Sequence, residues 1–164
     1  MQVVGKLRVV AKLSPSELAA WKGLLEAHSV LVSRLDEELK REHDLPLTSY
    51  EVLMMLVDAD QHRLRMSELA DRLLLSRSGI TRLVDRLERQ GFVERQPCLD
   101  DGRGYYAVLT ATGRRKVEAA RPTHLAGVRE HFLSHVSEAE RKTLARVWGR
   151  VLEAAGVGSA AEAA

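Results

Sequence analysis

Ser76-Arg-Ser-Gly-Ile-Thr-Arg-Leu-Val-Asp-Arg-Leu-Glu-Arg-Gln-Gly91 is the stretch that decides the fold. Counted from Ile80, the apolar residues Leu83, Val84 and Leu87 follow at offsets of three, four and seven, the signature of a helix with one buried face. Arg77, Ser78, Thr81, Arg82 and Arg86 are left on the outward side. A row of hydrogen-bonding and cationic side chains there is what reading a major groove requires. Upstream, Ser67-Glu-Leu-Ala70-Asp-Arg-Leu73 is long enough for a short preceding helix, with a break before Ser76. The pair reads as a helix-turn-helix.

Downstream, Phe92-Val-Glu-Arg-Gln and Tyr105-Tyr-Ala-Val-Leu are two short runs rich in β-formers. The polar loop between them ends in Gly102, Arg103 and Gly104, so the segment reads as a hairpin, the wing of a winged helix-turn-helix. An arginine flanked by glycines can approach another surface closely, and Arg103 is the expected minor-groove contact. Asp101, two residues earlier, is expected to hold the wing against the reading head by pairing with an arginine such as Arg77. Ser76 is expected to cap the recognition helix and Ser78 to meet a phosphate.

This segment resembles the multiple antibiotic resistance regulator (MarR) family of bacterial transcription factors. The resemblance rests on Ser67-Glu-Leu-Ala70, on the run from Ser76 to Glu88, on Gly91-Phe-Val-Glu-Arg, and on an Asp-x-Arg wing tip followed by Val108-Leu-Thr-x-x-Gly113. The family wing usually reads Asp-Pro-x-Asp-Arg-Arg; here Cys98 and Leu99 replace the first pair and Gly102 the first arginine. The resemblance implies long helices on both sides of the reading head and DNA affinity that responds to a small anionic or aromatic effector.

Those long helices are also legible in the residues. Ser14-Pro-Ser-Glu17 offers an N-cap, a proline at the first helical position and a capping-box glutamate. Leu18, Trp21, Leu25, His28, Val32, Leu35 and Leu39 then follow at spacings of three and four, a seam that asks for a partner helix. After the wing, Thr110-Ala-Thr-Gly opens a second long helix with Val117, Ala120, Leu125, Val128 and Phe132 on a looser stripe, and Pro122 is expected to kink it. Ser137-Glu-Ala-Glu140 starts a last helix carrying Leu144, Val147, Trp148, Val151 and Leu152. Apolar stripes that the reading head cannot cover are expected to cover each other across a twofold axis.

With 164 residues and 45% hydrophobic content, the chain reads as one domain, 1–164. Its expected parts are a winged helix-turn-helix at 47–110, dimerisation helices at 14–45 and 111–155, and a flexible tail at 156–164. The fold class is mainly α with a small β-hairpin wing. The net charge is only +2, but between Arg77 and Arg89 arginines outnumber acids, and phosphates meet the local field. No apolar run approaches the roughly 20 residues of a membrane helix, and no leader is evident, so the expected location is cytoplasmic, with no membrane partner.

Several residues invite sharper readings. His131 and His135 stand at i and i+4 of an expected helix, a spacing that can chelate a metal, yet nothing in sequence completes such a site and none is assigned. Cys98, the sole cysteine, reads as an incidental small residue of a wing strand. His28 is either an interface histidine or, with Arg34 and Tyr50, a polar contact for an effector lodged between the first long helix, the helix from Thr48 and the base of the helix after the wing. No nucleophile neighbours a histidine in a recognisable motif and no phosphate loop is present, so neither an enzyme nor a cofactor is expected. The alternative is a winged-helix module that binds protein without a DNA target. Exposed aromatics or leucines would mark such a face, whereas Arg77, Thr81, Arg82 and Arg103 favour double-stranded DNA.

Overall fold

The computed structural model describes residues 12–98 and 104–156. The first helix, α1 (Pro15–His43), begins as the capping box demands: Ser14 Oγ accepts from the Glu17 N–H while a Glu17 carboxylate oxygen accepts from the Ser14 N–H at 2.7 Å. It ends at Asp44, which turns left-handed at φ 46 and returns its N–H to the Leu39 and Lys40 carbonyls. Only Leu39 of α1 is buried, and Leu18, Trp21, Leu25 and Val32 stand exposed on the single chain.

The core forms around α2 (Leu47–Asp58), which buries Leu47, Ser49, Tyr50, Val52, Leu53 and Leu56. Pro46 gives α2 no side-chain cap; Asp36 of α1 supplies one by accepting the Leu47 N–H at 2.9 Å. That hydrogen bond and the Lys40 ammonium 2.5 Å away outweigh burial, which acts the other way, and hold the Asp36 carboxyl below the usual range. A 3-10 turn (Asp60–His62) then leads into β1 (Arg63–Arg65), α3 (Met66–Arg72) and α4 (Arg77–Arg89). Ile80, Leu83, Val84 and Leu87 of α4 are all buried, in the same cluster as α2, Leu64, Leu69, Val93, Ala107, Val117 and Ala120.

The hairpin is β2 (Val93–Pro97) and β3 (Tyr105–Leu109), antiparallel with Arg95 opposite Ala107. The sequence shows two strands here and the fold has three. Arg63-Leu64-Arg65 adds to the free side of β3, giving the order β1-β3-β2, but three residues are too few for alternation to register as a strand. Asp101 and Arg103 lie outside the described residues.

Helix α5 (Ala111–His131) is bolted to the wing at its start. Thr110 Oγ1 accepts from the Gly113 N–H at 3.0 Å and donates to the Gly91 carbonyl at 2.7 Å, and the Thr110 N–H reaches the Phe92 carbonyl. Pro122 lies inside this helix, and the element runs on through it; the break comes at Phe132, before a 3-10 turn (Leu133–His135). His131 and His135 therefore do not share one continuous helix, which corrects the i, i+4 reading. His131 instead meets α1, donating from Nε2 to Glu38 Oε1 at 2.6 Å with Nδ1 3.4 Å from the Arg34 guanidinium. The close passage is at Gly127, where a side chain would run into Leu35 and Glu38. The last helix, α6 (Glu138–Ala154), has the expected capping box at Ser137 and no buried residue. Of the expected tail, only Gly156 is described.

Candidate nucleic-acid interface

The reading surface is built by α4 standing free along one side. Ser76 caps it, its Oγ accepting the Gly79 N–H at 3.1 Å, and lies 3.1 Å from Ser78 Oγ. Arg77, Ser78, Thr81 and Arg82 are exposed together on its first two turns. Thr81 Oγ1 donates to the Arg77 carbonyl at 2.8 Å, so its hydroxyl proton is satisfied within the helix and its lone pairs remain outward. No acidic side chain occupies the first turn, so the positive end of the helix dipole adds to the two guanidiniums.

Arg86 departs from the expected outward row. Its position lies half-buried where α4 meets α2, and Nη2 donates to Ser49 Oγ at 3.1 Å, Ser49 being fully buried. The cause is geometric: Arg86 lies one residue from Leu87 and two from Val84, on the edge of the apolar stripe rather than opposite it. Its Nε is buried with no hydrogen-bond partner among the described residues.

Arg95 carries the contact that the sequence did not disclose. From β2 it donates Nη1 to Glu88 Oε2 and Asp85 Oδ1, each at 2.7 Å, and Nη2 to the Thr81 carbonyl at 3.3 Å, while its own N–H reaches Glu88 Oε1. The available signal was the i, i+3 acidic pair on α4 facing an arginine two residues along the strand from buried Val93. A cleft between α3, α4 and the hairpin is lined by Met66, Ser67, Arg77, Thr81, Arg95 and Tyr105, with Cys98 buried at its wall. On the outer face of the sheet, Arg63 stacks on Tyr106 at 4.7 Å from the ring centroid.

The three effector candidates do not converge. His28 borders a hollow between α1 and α2 together with Val32, Asp36, Lys40, Glu51 and Arg86. Arg34 lies on the opposite side, against His131. Tyr50 is buried, its ring 4.6 Å from that of His124 of α5. Burial raises the Tyr50 hydroxyl and lowers the His124 imidazole, so both stay neutral near pH 7. Glu51, which the sequence did not single out, faces the hollow. Burial lifts its carboxyl above the ordinary range, and His28 offsets only part of the rise. Among the described residues no group of His, Cys, Asp and Glu could hold a metal ion, and no helix is long and apolar enough to cross a membrane.

Comparison with known proteins accounts for this architecture. The profile of the MarR family matches residues 43–104. The crystal structure of AbsC, a MarR family transcriptional regulator from Streptomyces coelicolor, superposes with a TM-score of 0.82 at 30% identity, over 88% of this chain and 97% of that one. The chain belongs to the MarR family. A second MarR family regulator of the same organism, Sco3205, whose crystal structure is in complex with DNA, superposes at 0.83 with 32% identity over 88% of this chain and 91% of that one. The transcriptional repressor YetL of Bacillus subtilis is 33% identical over 104 residues, a match that spans 63% of this chain and 62% of that repressor's length. Membership fixes the general class, a transcriptional regulator, and the winged helix that carries it.

Proposed function

We propose that this chain is a ligand-responsive repressor that binds a pseudo-palindromic DNA site as a homodimer. The observation that carries the reading is the exposed row Arg77, Ser78, Thr81 and Arg82 on a helix whose other face is locked into the core. Such a helix fits a major groove, its side chains pairing with base edges and phosphates. The DNA complex of Sco3205 and the repressor YetL support the assignment. Arg103 and Asp101 are assigned to the wing contact on sequence alone.

The homodimer is supported by apolar surface that the single chain leaves open. Trp21 is 54% exposed, Leu25 50% and Val151 53%, although all three belong to the stripes of α1 and α6. Surface of this kind marks an interface, and a twofold one makes the same patch serve both copies. Segments 14–45 and 111–155 are thus the dimerising arms of a single domain, with 47–110 the reading head. Two heads then stand about 34 to 36 Å apart, one helical turn of DNA.

A small anionic or aromatic effector is assigned to the hollow beside His28, whose walls carry Arg86 and the Lys40–Asp36 pair as well as Val32 and Leu47. Its occupancy would act on DNA only through unequal affinity for the two spacings of the heads. The work is proposed to take place in the cytoplasm, where the DNA is. Two measurements test the reading. Sedimentation at micromolar concentration should give a dimer, and a monomer would refute the arms. Affinity for genomic fragments should fall steeply between low and physiological salt as phosphate counterions are released, and indifference to salt would refute the phosphate contacts.

A further inference from the structure

We propose that Arg95 is the positioning residue that fixes the angle between the recognition helix α4 and the wing, so that the two elements meet adjacent grooves as one rigid unit. The inference deepens the DNA-binding reading and rests on it. Its ground is where the Arg95 contacts fall. Thr81, Asp85 and Glu88 lie at offsets of four and three along α4, a line nearly two turns long on the side of the helix that faces β2, and all three are held by this single side chain. The Arg95 N–H on Glu88 Oε1 ties the strand backbone to the same carboxylate. One guanidinium thus bridges three points of a helix from a strand that must also carry the wing.

The base of the hairpin is held elsewhere, by Thr110 on Gly91 and Phe92 and by Val93 and Ala107 in the core, but those contacts reach no farther out than Arg95 itself, toward the end of β2 next to α4's C-terminus. The chain reverses between α4 and β2 through Gly91, at φ 73, and only Val93 of β2 is buried in the core. Past that base the residues of β2 lie half-buried or exposed, so the outer part of the hairpin can twist relative to α4 unless a side chain spans the two. Arg95 prevents this because a planar fork of five donors satisfies two carboxylates and a carbonyl at fixed directions, which a lysine ammonium cannot do. Its side chain is only 21% exposed, so its charge is committed to α4 rather than to phosphate. It also neutralises Asp85 and Glu88, which would otherwise present anions beside the reading face. The neighbouring carbonyl it holds, that of Thr81, belongs to the reading row itself.

The test uses the full-length chain and a duplex that the wild type selects from a random pool. Arg95→Lys keeps the charge and loses the fork. Affinity for the selected duplex should fall about tenfold or more, the size of a lost base-pair contact, while affinity for a scrambled duplex stays within about twofold. Hydroxyl-radical protection of the minor groove flanking each half-site should vanish while protection of guanine N7 beneath α4 persists, a split that a general loss of folding would not produce. A second variant, Arg95→Met combined with Asp85→Asn and Glu88→Gln, leaves no unpaired charge and should show the same split. Wild-type behaviour of Arg95→Lys on both duplexes would overturn the proposal. So would restored affinity in the neutral triple variant, which would reduce Arg95 to a charge mask, or joint loss of both protections. A wild-type chain that selects no duplex would instead remove the DNA reading, and the proposal with it.

Discussion

Replacing Gly113 by alanine tests the junction on which the wing depends. Gly113 is buried in the first turn of α5, and a Cβ there would collide with the Phe92 backbone carbonyl oxygen while standing 2.9 Å from Leu109 Cδ1. The first obstacle is main chain and cannot rotate away, so α5 must move off the base of the hairpin. Overpacking of this kind costs about 1 to 3 kcal/mol. The shift would also loosen the Thr110 cap, worth about 1 kcal/mol, and strain the hydrogen bonds from Thr110 to Gly91 and Phe92. Against this stands a helix-propensity gain of at most about 1 kcal/mol. The net expectation is a loss of about 1 to 4 kcal/mol, read as a fall in the urea midpoint with unchanged slope at fixed protomer concentration. Gly23→Ala is the control: nothing lies within 4 Å of its Cβ position in mid-helix, so it should stabilise by about 0.5 to 1 kcal/mol. If Gly113→Ala came out as stable as wild type, or the two variants moved in the same direction, the close packing of α5 on the wing would be refuted.

Leu74, in the turn between α3 and α4, is 81% exposed and held at φ 53, so Leu74→Gly should relieve about 1 to 2 kcal/mol of left-handed strain, partly offset by the entropy of the unfolded glycine, and raise the melting temperature by a few degrees. A fall would show that Leu74 has a packing role. Arg82→Ala should cost about 1 to 3 kcal/mol on a selected duplex and relax its base preference, measured by paired titrations on selected and scrambled DNA. Glu51 binds its proton more tightly folded than unfolded, so the folded chain holds more protons from about pH 4.5, its ordinary value, up to the raised one, and stability falls as pH rises through that window. Glu51→Gln should flatten this slope and stabilise the protein at neutral pH in urea titrations from pH 4 to 8; an unchanged slope would assign the dependence elsewhere.

The fold was legible where periodicity was long. Ile80 to Leu87 dictated α4 and its buried face, and the capping boxes at Ser14 and Ser137 set helix starts to the residue. Legibility failed where a contact joins residues distant in sequence. Arg86 turned inward because α2 presents the Ser49 hydroxyl across 37 positions, which no local pattern announces. Tyr50 looked like a polar pocket group and is a core residue packed at a tilt against the His124 ring, and Arg34 faces α5 rather than the hollow beside His28. His131 and His135 suggested one helix face, whereas the backbone at Phe132 leaves the helical region between them. Strand β1 was missed because three residues carry too little alternation to be seen until β3 is placed beside them.

The central claim, a twofold DNA reader built on α4, is tested most directly by incubating the full-length chain with a pool of random duplexes at physiological salt and sequencing what it retains. The account predicts enrichment of a pseudo-palindrome whose half-sites lie about one helical turn apart, weakened and with relaxed base preference when Arg82 is replaced by alanine. Retention of unrelated sequences with no twofold symmetry, or no retention at all, would contradict it.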